Sequence, residues 1–404
     1  MSKIEQLIKK LCPKGVEWRP LGEVCKRHHG TAITAGKMAA LNKEGAPIRV
    51  FAAGNTIADV NEGDIPEKDV IREPGIVVKA RGYIGFAYCE RPFSHKGELW
   101  SYTAKGLPVN LKYLYYYLLT QAKQLHILAR SKSVKLPQLS TGDTDNLFVP
   151  LPPRPVQDEI VKALDAMAAV VKSLEEERAA RQEQFEALRE KEMIECCSAN
   201  VERISLSEMG EFFSGLAGKS KDDFVEGNAK FLSYMDVFVN SAAPTDVANF
   251  VRVMPGERQN QLQVGDIVFT GSSETKDEAG MTCVIQTEFA EPVYLNSFCF
   301  GLRPNVSVQM KPEFAKYVFR SVVVRNQIIR ASNGVTRFNV SKEALKKVQI
   351  PIPSVAVQKK IAEQLDAFAA VVAALDEEVA ARREQFAGWL ERLMEFDARE
   401  VAVA

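Results

Sequence analysis

Nothing in these 404 residues approaches the unbroken apolar run of roughly 18–20 that a bilayer-crossing helix needs. The opening stretch MSKIEQLIKKLCPKG lacks the apolar core of a signal peptide, so a cytoplasmic protein with no membrane contact is expected. Net charge is also missing: 52 basic residues balance 52 acidic ones, so overall charge announces neither nucleic acid nor lipid. There are only four histidines, and His28 and His29 are adjacent, where regular backbone points them in different directions. The seven cysteines (Cys12, Cys25, Cys89, Cys196, Cys197, Cys283 and Cys299) are odd in number, scattered and without a C-x-x-C pair. That argues against a disulfide framework or a metal centre and for reduced, structural thiols.

Enzyme signatures are missing too. SGLAGKS, ending at Ser220, looks like a phosphate loop, but the first glycine of that motif would stand where Phe213 does. There is no G-x-G-x-x-G, no G-x-S-x-G, no H-E-x-x-H and no [DN]-P-P-[YF] of the kind amino-methyltransferases place around a flipped base. Acid pairs such as Asp222–Asp223 read as solvated surface. No catalytic group is nominated.

What the chain does have is a repeat. VPLPPRPVQDEIVKALDAMAAVVKSLEEERAARQEQF begins at Val149, and IPIPSVAVQKKIAEQLDAFAAVVAALDEEVAARREQF begins at Ile350. From there to Met193 and Met394, 23 of 45 positions are identical without a gap. The prolines at 150, 152, 153 and 155, and at 351 and 353, place a helix start just after them. Apolar residues then recur at spacings of four and three: Ile160, Leu164, Met167, Val171, Leu174 and Phe185 in one copy. Ile361, Leu365, Phe368, Val372, Leu375, Phe386 and Trp389 follow in the other. This is the seam of a coiled coil, and a bare seam is unstable in water, so the two helices are expected to pair antiparallel. Arg181 and Arg382 interrupt the seam at equivalent places and read as solvated, snorkelling side chains, with a polar layer that fixes register and orientation as the alternative. The expected organisation is a globular domain at 1–149, a helix at 150–197, a second domain at 198–350 and a second helix at 351–404.

Charge is partitioned along that plan. Residues 1–149 carry 22 basic against 14 acidic side chains, residues 198–350 balance at 17 each, and each helical segment has an excess of four acids. Acidic helices are poor partners for phosphate and suit a protein partner or plain solvent. Basic residues gather just before each helix, in NLKYLYYYLLTQAKQLHILAR with SKSVKLPQLS, and in KPEFAKYVFRSVVVRNQIIR with SNGVTRFNVS. Each reads as an amphipathic helix followed by a polar loop, and a positive surface built twice suggests two nucleic-acid faces. The tyrosines of KYLYYYLL read as core rather than as stacking platforms. Upstream, GIVVKARGYIGFAYC and GDIVFTGSSETKDEAGMTCVI read as strands breaking into turns. Lys79, Arg81, Lys132 and Lys135 in the first half, and Ser273, Lys276, Asn333, Thr336 and Arg337 in the second, are the candidate DNA contacts. On the residues alone, an adaptor holding two protein-binding domains on a coiled coil remains an alternative.

The whole arrangement resembles the specificity (S) subunits of Type I restriction–modification systems. The shared Pro150, Gln157, Ile160, Leu164 and Asp165, matched by Pro351, Gln358, Ile361, Leu365 and Asp366, carry the resemblance, because such a pattern is specific in pairs. It implies two α/β (α+β) target-recognition domains separated by two long helices, an antiparallel coiled coil with pseudo-twofold symmetry. It further implies a non-catalytic chain that reads a bipartite site on double-stranded DNA and binds two methyltransferase (M) subunits, which two restriction (R) subunits can join. S-adenosylmethionine, ATP and Mg would then belong to the partner subunits and not to this chain.

Overall fold

The structure is a computed structural model that describes residues 3–106, 108–133, 135–198 and 201–398, the side chains of Cys197 and Ser198 excepted. The chain packs as two units, Met1–Glu175 with Glu377–Ala404, and Glu176–Asp376. The division falls partway along two long helices, Arg154–Ser198 of 45 residues and Val355–Leu393 of 39. Each unit is therefore one mixed α/β domain together with a stretch of both helices. Among the described residues no helix is long and apolar enough to cross a membrane. The six cysteines with described side chains are buried.

In the first unit a four-stranded antiparallel sheet runs in the order Cys25–His29, Trp100–Ala104, Gly75–Arg81, Tyr83–Cys89. A three-stranded sheet places Ile48–Phe51 between Ile57–Val60, antiparallel, and Phe93–His95, parallel. The helix Leu111–Lys132 begins at Asn110, whose side chain accepts from the amides of Lys112 and Tyr113. Its Tyr113, Leu114, Tyr116, Tyr117 and Leu118 are buried in a core shared with Ile76, Val78 and Tyr102, so this tyrosine run is packing, as its helical spacing suggests. Glu17–Pro20 pairs antiparallel with Phe148–Leu151, tying the entrance of the domain to the strand that leads into the long helix.

The second unit repeats the scheme although its sequence has drifted. Its sheets run Gly210–Ser214, Cys299–Pro304, Ile267–Thr270, Thr282–Val284 and Phe250–Val251, Ala229–Leu232, Val293–Leu295. Glu202–Ser205 pairs with Gln349–Ile352 just as in the first unit. One expectation is corrected here. KPEFAKYVFRSVVVRNQIIR is not one helix but two, Pro312–Val318 and Val322–Arg330. The break falls at Ser321, whose backbone is extended at φ −71° and ψ 153°, next to Arg320, which donates to the carbonyls of Val237, Phe238, Val239, Asn240 and Thr282. The buried Ser321 meanwhile closes the first helix by donating to Val318 O at 2.7 Å.

The paired motif has a structural explanation. Gln157 and Gln358 are 2% and 0% exposed, so neither can be serving solvent. Gln157 donates to Pro152 O at 2.7 Å and accepts from the amide of Asn110 at 2.7 Å. Gln358 donates to the carbonyls of Pro353 and Gln309 and accepts from the amide of Lys311, each at 2.8 Å. Asp165 accepts from Tyr116 Oη at 2.5 Å and Asp366 from Tyr317 Oη at 2.5 Å, with Lys112 and Lys316 as ion-pair partners. Burial, with the nearby carboxylate next, pushes both tyrosine pKa values up. Glutamine and aspartate thus clamp each domain to the first turns of its helix. Removing a buried glutamine strands a backbone donor and an acceptor, each costing roughly 1–3 kcal/mol. Gln157→Ala and Gln358→Ala are therefore expected to destabilise their units by roughly 2–4 kcal/mol, read as a lower urea midpoint, whereas Gln184→Ala, at an exposed glutamine of the same helix, leaves it within about 0.5 kcal/mol. Equal midpoints for all three variants would refute the clamp.

The helices pair antiparallel in both units. In the first, Arg383 reaches Glu175 at 2.6 Å while Phe386, Leu390 and Met394 join the cluster of Ile160 and Leu164. In the second, Arg178 grips Asp376 at 2.8 and 3.1 Å, Phe185 meets Phe368 at 6.1 Å, and Leu188 and Met193 join Ile361 and Leu365. The exposed ion pairs add little to stability, and the apolar seam holds the pair. Val372 is buried, and Met167, Val171, Leu174 and Leu375 are half-buried, because a two-helix pair covers each seam from one side only. Arg181 and Arg382 are exposed. Trp389 was expected in the seam but is 38% exposed, and Leu390 at 8% takes the buried place. Pro155 lies inside the first helical turn rather than before it, where its missing N–H has no intrahelical partner to lose.

Candidate nucleic-acid interface

Both domains contain the same backbone clasp. In the first, the Leu139 amide donates to Ala80 O at 2.9 Å, Gly82 donates to Pro137 O at 2.9 Å, and Arg81 bridges Gln138. In the second, Val340 donates to Gly271 O at 3.0 Å, and Ser272 and Ser273 pair with Asn339 and Phe338. The end of a central strand is thus held beside the loop that follows the basic helix. The clasp places Ala80 opposite Gly271 and Leu139 opposite Val340, which sets Lys135 opposite Thr336 and Leu136 opposite Arg337.

Around the first clasp the chain turns at Gly82, whose φ of +74° suits glycine. Arg81 is exposed, and so is Tyr83 at 62%. Lys79 is half-buried, its Nζ 3.3 Å from Asn55 Oδ1 and 5.9 Å from the centre of the Tyr83 ring, and burial lowers its pKa. Lys135 is exposed, and neither it nor Arg81 has an ion-pair partner among the described residues. Lys132 differs, because it pairs with Asp143, which caps the short helix Thr141–Asp145. The structure therefore gathers Lys79, Arg81 and Lys135 at one tip and holds Lys132 in a fold-stabilising pair.

Around the second clasp the turn grows into a loop, residues 274–281. Arg325, 8% exposed, donates from beneath to the carbonyls of Asp277, Ala279 and Gly280 at 2.6–2.9 Å, and burial pulls its pKa down to about 10. Thr275 donates to Glu278 at 2.5 Å, which closes the loop on itself. Ser273, Thr336 and Arg337 come together in a cleft of about 740 Å³ that Tyr234, Met235, Phe238, Glu274, Glu278 and Phe298 also line. Lys276 is exposed on the same loop outside the cleft, and Asn333 is exposed in the strand opposite Asn339. The aromatic wall was missed by sequence reasoning. Tyr234 and Phe238 sit in FLSYMDVF, a short helix behind a Ser233–Asp236 capping box, and that box was its one local signal.

The basic runs are thus partly structural. Lys112, Lys132, Lys316, Arg320 and Arg325 all serve the fold, through carboxylates or backbone carbonyls. Arg81, Lys135 and Arg337 remain presented at the clasped tips, where donors can reach either phosphate or base edges. Among the described residues no group of three or more histidine, cysteine or acidic side chains could hold a metal ion.

Residues 13–183 and 199–381 match the family described as the Type I restriction modification DNA specificity domain. Over 419 aligned residues the chain is 23% identical to the EcoR124I/EcoR124II specificity subunit of Escherichia coli, covering 99% of each. A stretch of 136 residues, 34% of this chain and 28% of the other, is 32% identical to the StySPI specificity subunit of Salmonella potsdam. The fold is similar to that of the Type-I restriction-modification system S subunit from M. genitalium, with a TM-score of 0.55 at 16% identity over 94% of this chain and 96% of that one. A chain from a structure on complex assembly and conformational transition of the type I R-M system gives 0.59 at 18% identity, over 95% and 98%. With both halves matched, the chain belongs to the DNA specificity subunits of Type I restriction–modification systems.

Proposed function

We propose that this chain reads a split DNA site, one half with each α/β domain, and that its helices dock two methyltransferase subunits which two restriction subunits can join. As a specificity subunit it recognises DNA targets, works with the other subunits of its complex and is itself non-catalytic. The observation that carries the split-site reading is the duplicated clasp, Ala80 to Leu139 and Gly271 to Val340. One presentation scaffold occurs twice, holding different side chains at its tip, and that suits two readers of unlike half-sites. In this reading residues 1–149 and 198–350 are the recognition domains, and 150–197 and 351–404 are the spacers. Repeated acidic helices suit two copies of one enzyme, which would bring S-adenosylmethionine, and ATP with Mg for any restriction subunit.

The test is co-expression with the methyltransferase subunit and mapping of methylated adenines across the host genome. Two unlike half-sites with a fixed unread gap are expected. A continuous motif would overturn the two-reader model, and an assembled complex that methylates nothing would favour the adaptor.

A further inference from the structure

The cleft of the second domain differs chemically from the tip of the first. The first presents cations beside a tyrosine, whereas the second sets an aromatic wall among two carboxylates and one guanidinium. Tyr234 and Phe238 stack at 6.1 Å with 16° between their planes, and Tyr234 Oη donates to Ser272 O at 2.7 Å. Beside them Met235 is 57% and Phe298 63% exposed, a large apolar surface for a domain to leave in water.

The charged groups divide by use. Glu278 is engaged within its own loop by Thr275 and Ser273. Glu274 is exposed and has no hydrogen-bond or ion-pair partner among the described residues. Arg337 donates through Nε to Ser272 Oγ at 3.0 Å, which anchors the guanidinium at the rim while its Nη groups have no partner among the described residues. The rim therefore offers one free acceptor-only group and one free donor fork against an apolar wall. A phosphate meets two carboxylates here and is disfavoured. A base edge fits better: a carboxylate accepts from an exocyclic amino group, a guanidinium donates to guanine O6 and N7, and apolar side chains meet a thymine methyl or a ring edge.

We propose that this cleft reads base identity, with Glu274 accepting from the amino group of a cytosine or adenine and Arg337 donating to a neighbouring guanine. The assignment rests on the second domain being a DNA reader, as proposed above. Glu274 makes no contact that the fold needs, so its replacement leaves the domain intact.

The experiment compares methylated motifs in cells expressing the methyltransferase subunits with the full chain, unsubstituted or carrying Glu274→Gln or Glu274→Ala. One position of one half-site is expected to lose about tenfold or more in discrimination, while the other half-site and the gap persist. Where that position is cytosine, Glu274→Gln is expected to move it toward adenine, since glutamine suits adenine N6 and N7, and Glu274→Ala relaxes the position whichever base it reads. The same motif at every position in both variants overturns the proposal. So does uniform loss of methylation by an assembled complex, because that marks a general contact rather than a base-reading one. If the unsubstituted complex yields no split motif, the parent reading fails, and this one with it.

Discussion

Reversing the charge at Lys135 or at Arg337 is expected to weaken binding of the assembled complex to its target duplex by about ten- to a hundredfold at moderate salt. Both residues are exposed on loops that the clasp holds against a strand end, so the backbone that positions them does not depend on their charge. Lys135 has no ion-pair partner among the described residues, so Lys135→Glu releases no buried acid. Arg337→Glu adds a third carboxylate to a rim that already holds Glu274 and Glu278, so it is expected to have the larger effect. Salt distinguishes the two roles. If Lys135 contacts phosphate, its loss weakens all sequences alike and reduces the slope of log K against log salt by about one. If Arg337 contacts a base, its loss keeps the slope and relaxes one position. Lys191→Glu, an exposed change on the acidic central helix, is the control and should leave affinity within about twofold. Equal affinities for all three variants and the unsubstituted complex would remove both tips from the DNA interface.

Much of the fold could be read ahead of the structure because its signals are local. Prolines before Gln157 and Gln358 and spacings of four and three announce two seamed helices whatever surrounds them. What could not be read depends on partners far along the chain. Gln157, Gln358, Asp165 and Asp366 stood out as identities, but their task is set by Asn110, Lys311, Tyr116 and Tyr317, 47–49 residues earlier. The basic runs were visible as composition, yet no local pattern distinguishes Arg325, spent on carbonyls of residues 277–280, from Arg337, which is presented. The helix break at Ser321 likewise has no local signal, and Arg320 beside it reaches carbonyls some 80 residues away. Trp389 and Leu390 differ by one position on a helix, and only packing decides which faces the seam. The cleft is the clearest case: Tyr234, Glu274, Phe298 and Arg337 come from four separate segments and share no sequence signature.

On the two-reader proposal, a matched seven-residue insertion, between Glu175 and Glu176 and between Asp376 and Glu377, is expected to widen the unread gap of the methylated motif by up to about three base pairs, given 1.5 Å per helical residue and 3.4 Å per base pair. These are the two places where the packing units divide, so each unit keeps its own stretch of paired helix. Seven residues preserve the spacing of four and three, whereas four would add a stutter that locally unwinds the pair. The Glu175–Arg383 and Arg178–Asp376 pairs each lie within one unit and survive the change. Both half-sites should stay the same in sequence, because neither tip is altered. The whole set of modified sites in the genome would therefore move while each half of the motif stays recognisable. Inserting in the central helix alone displaces its seam from the other helix and is expected to reduce complex yield rather than shift the gap. A matched insertion that leaves the gap unchanged in an active complex would show that something other than helix length sets the spacing.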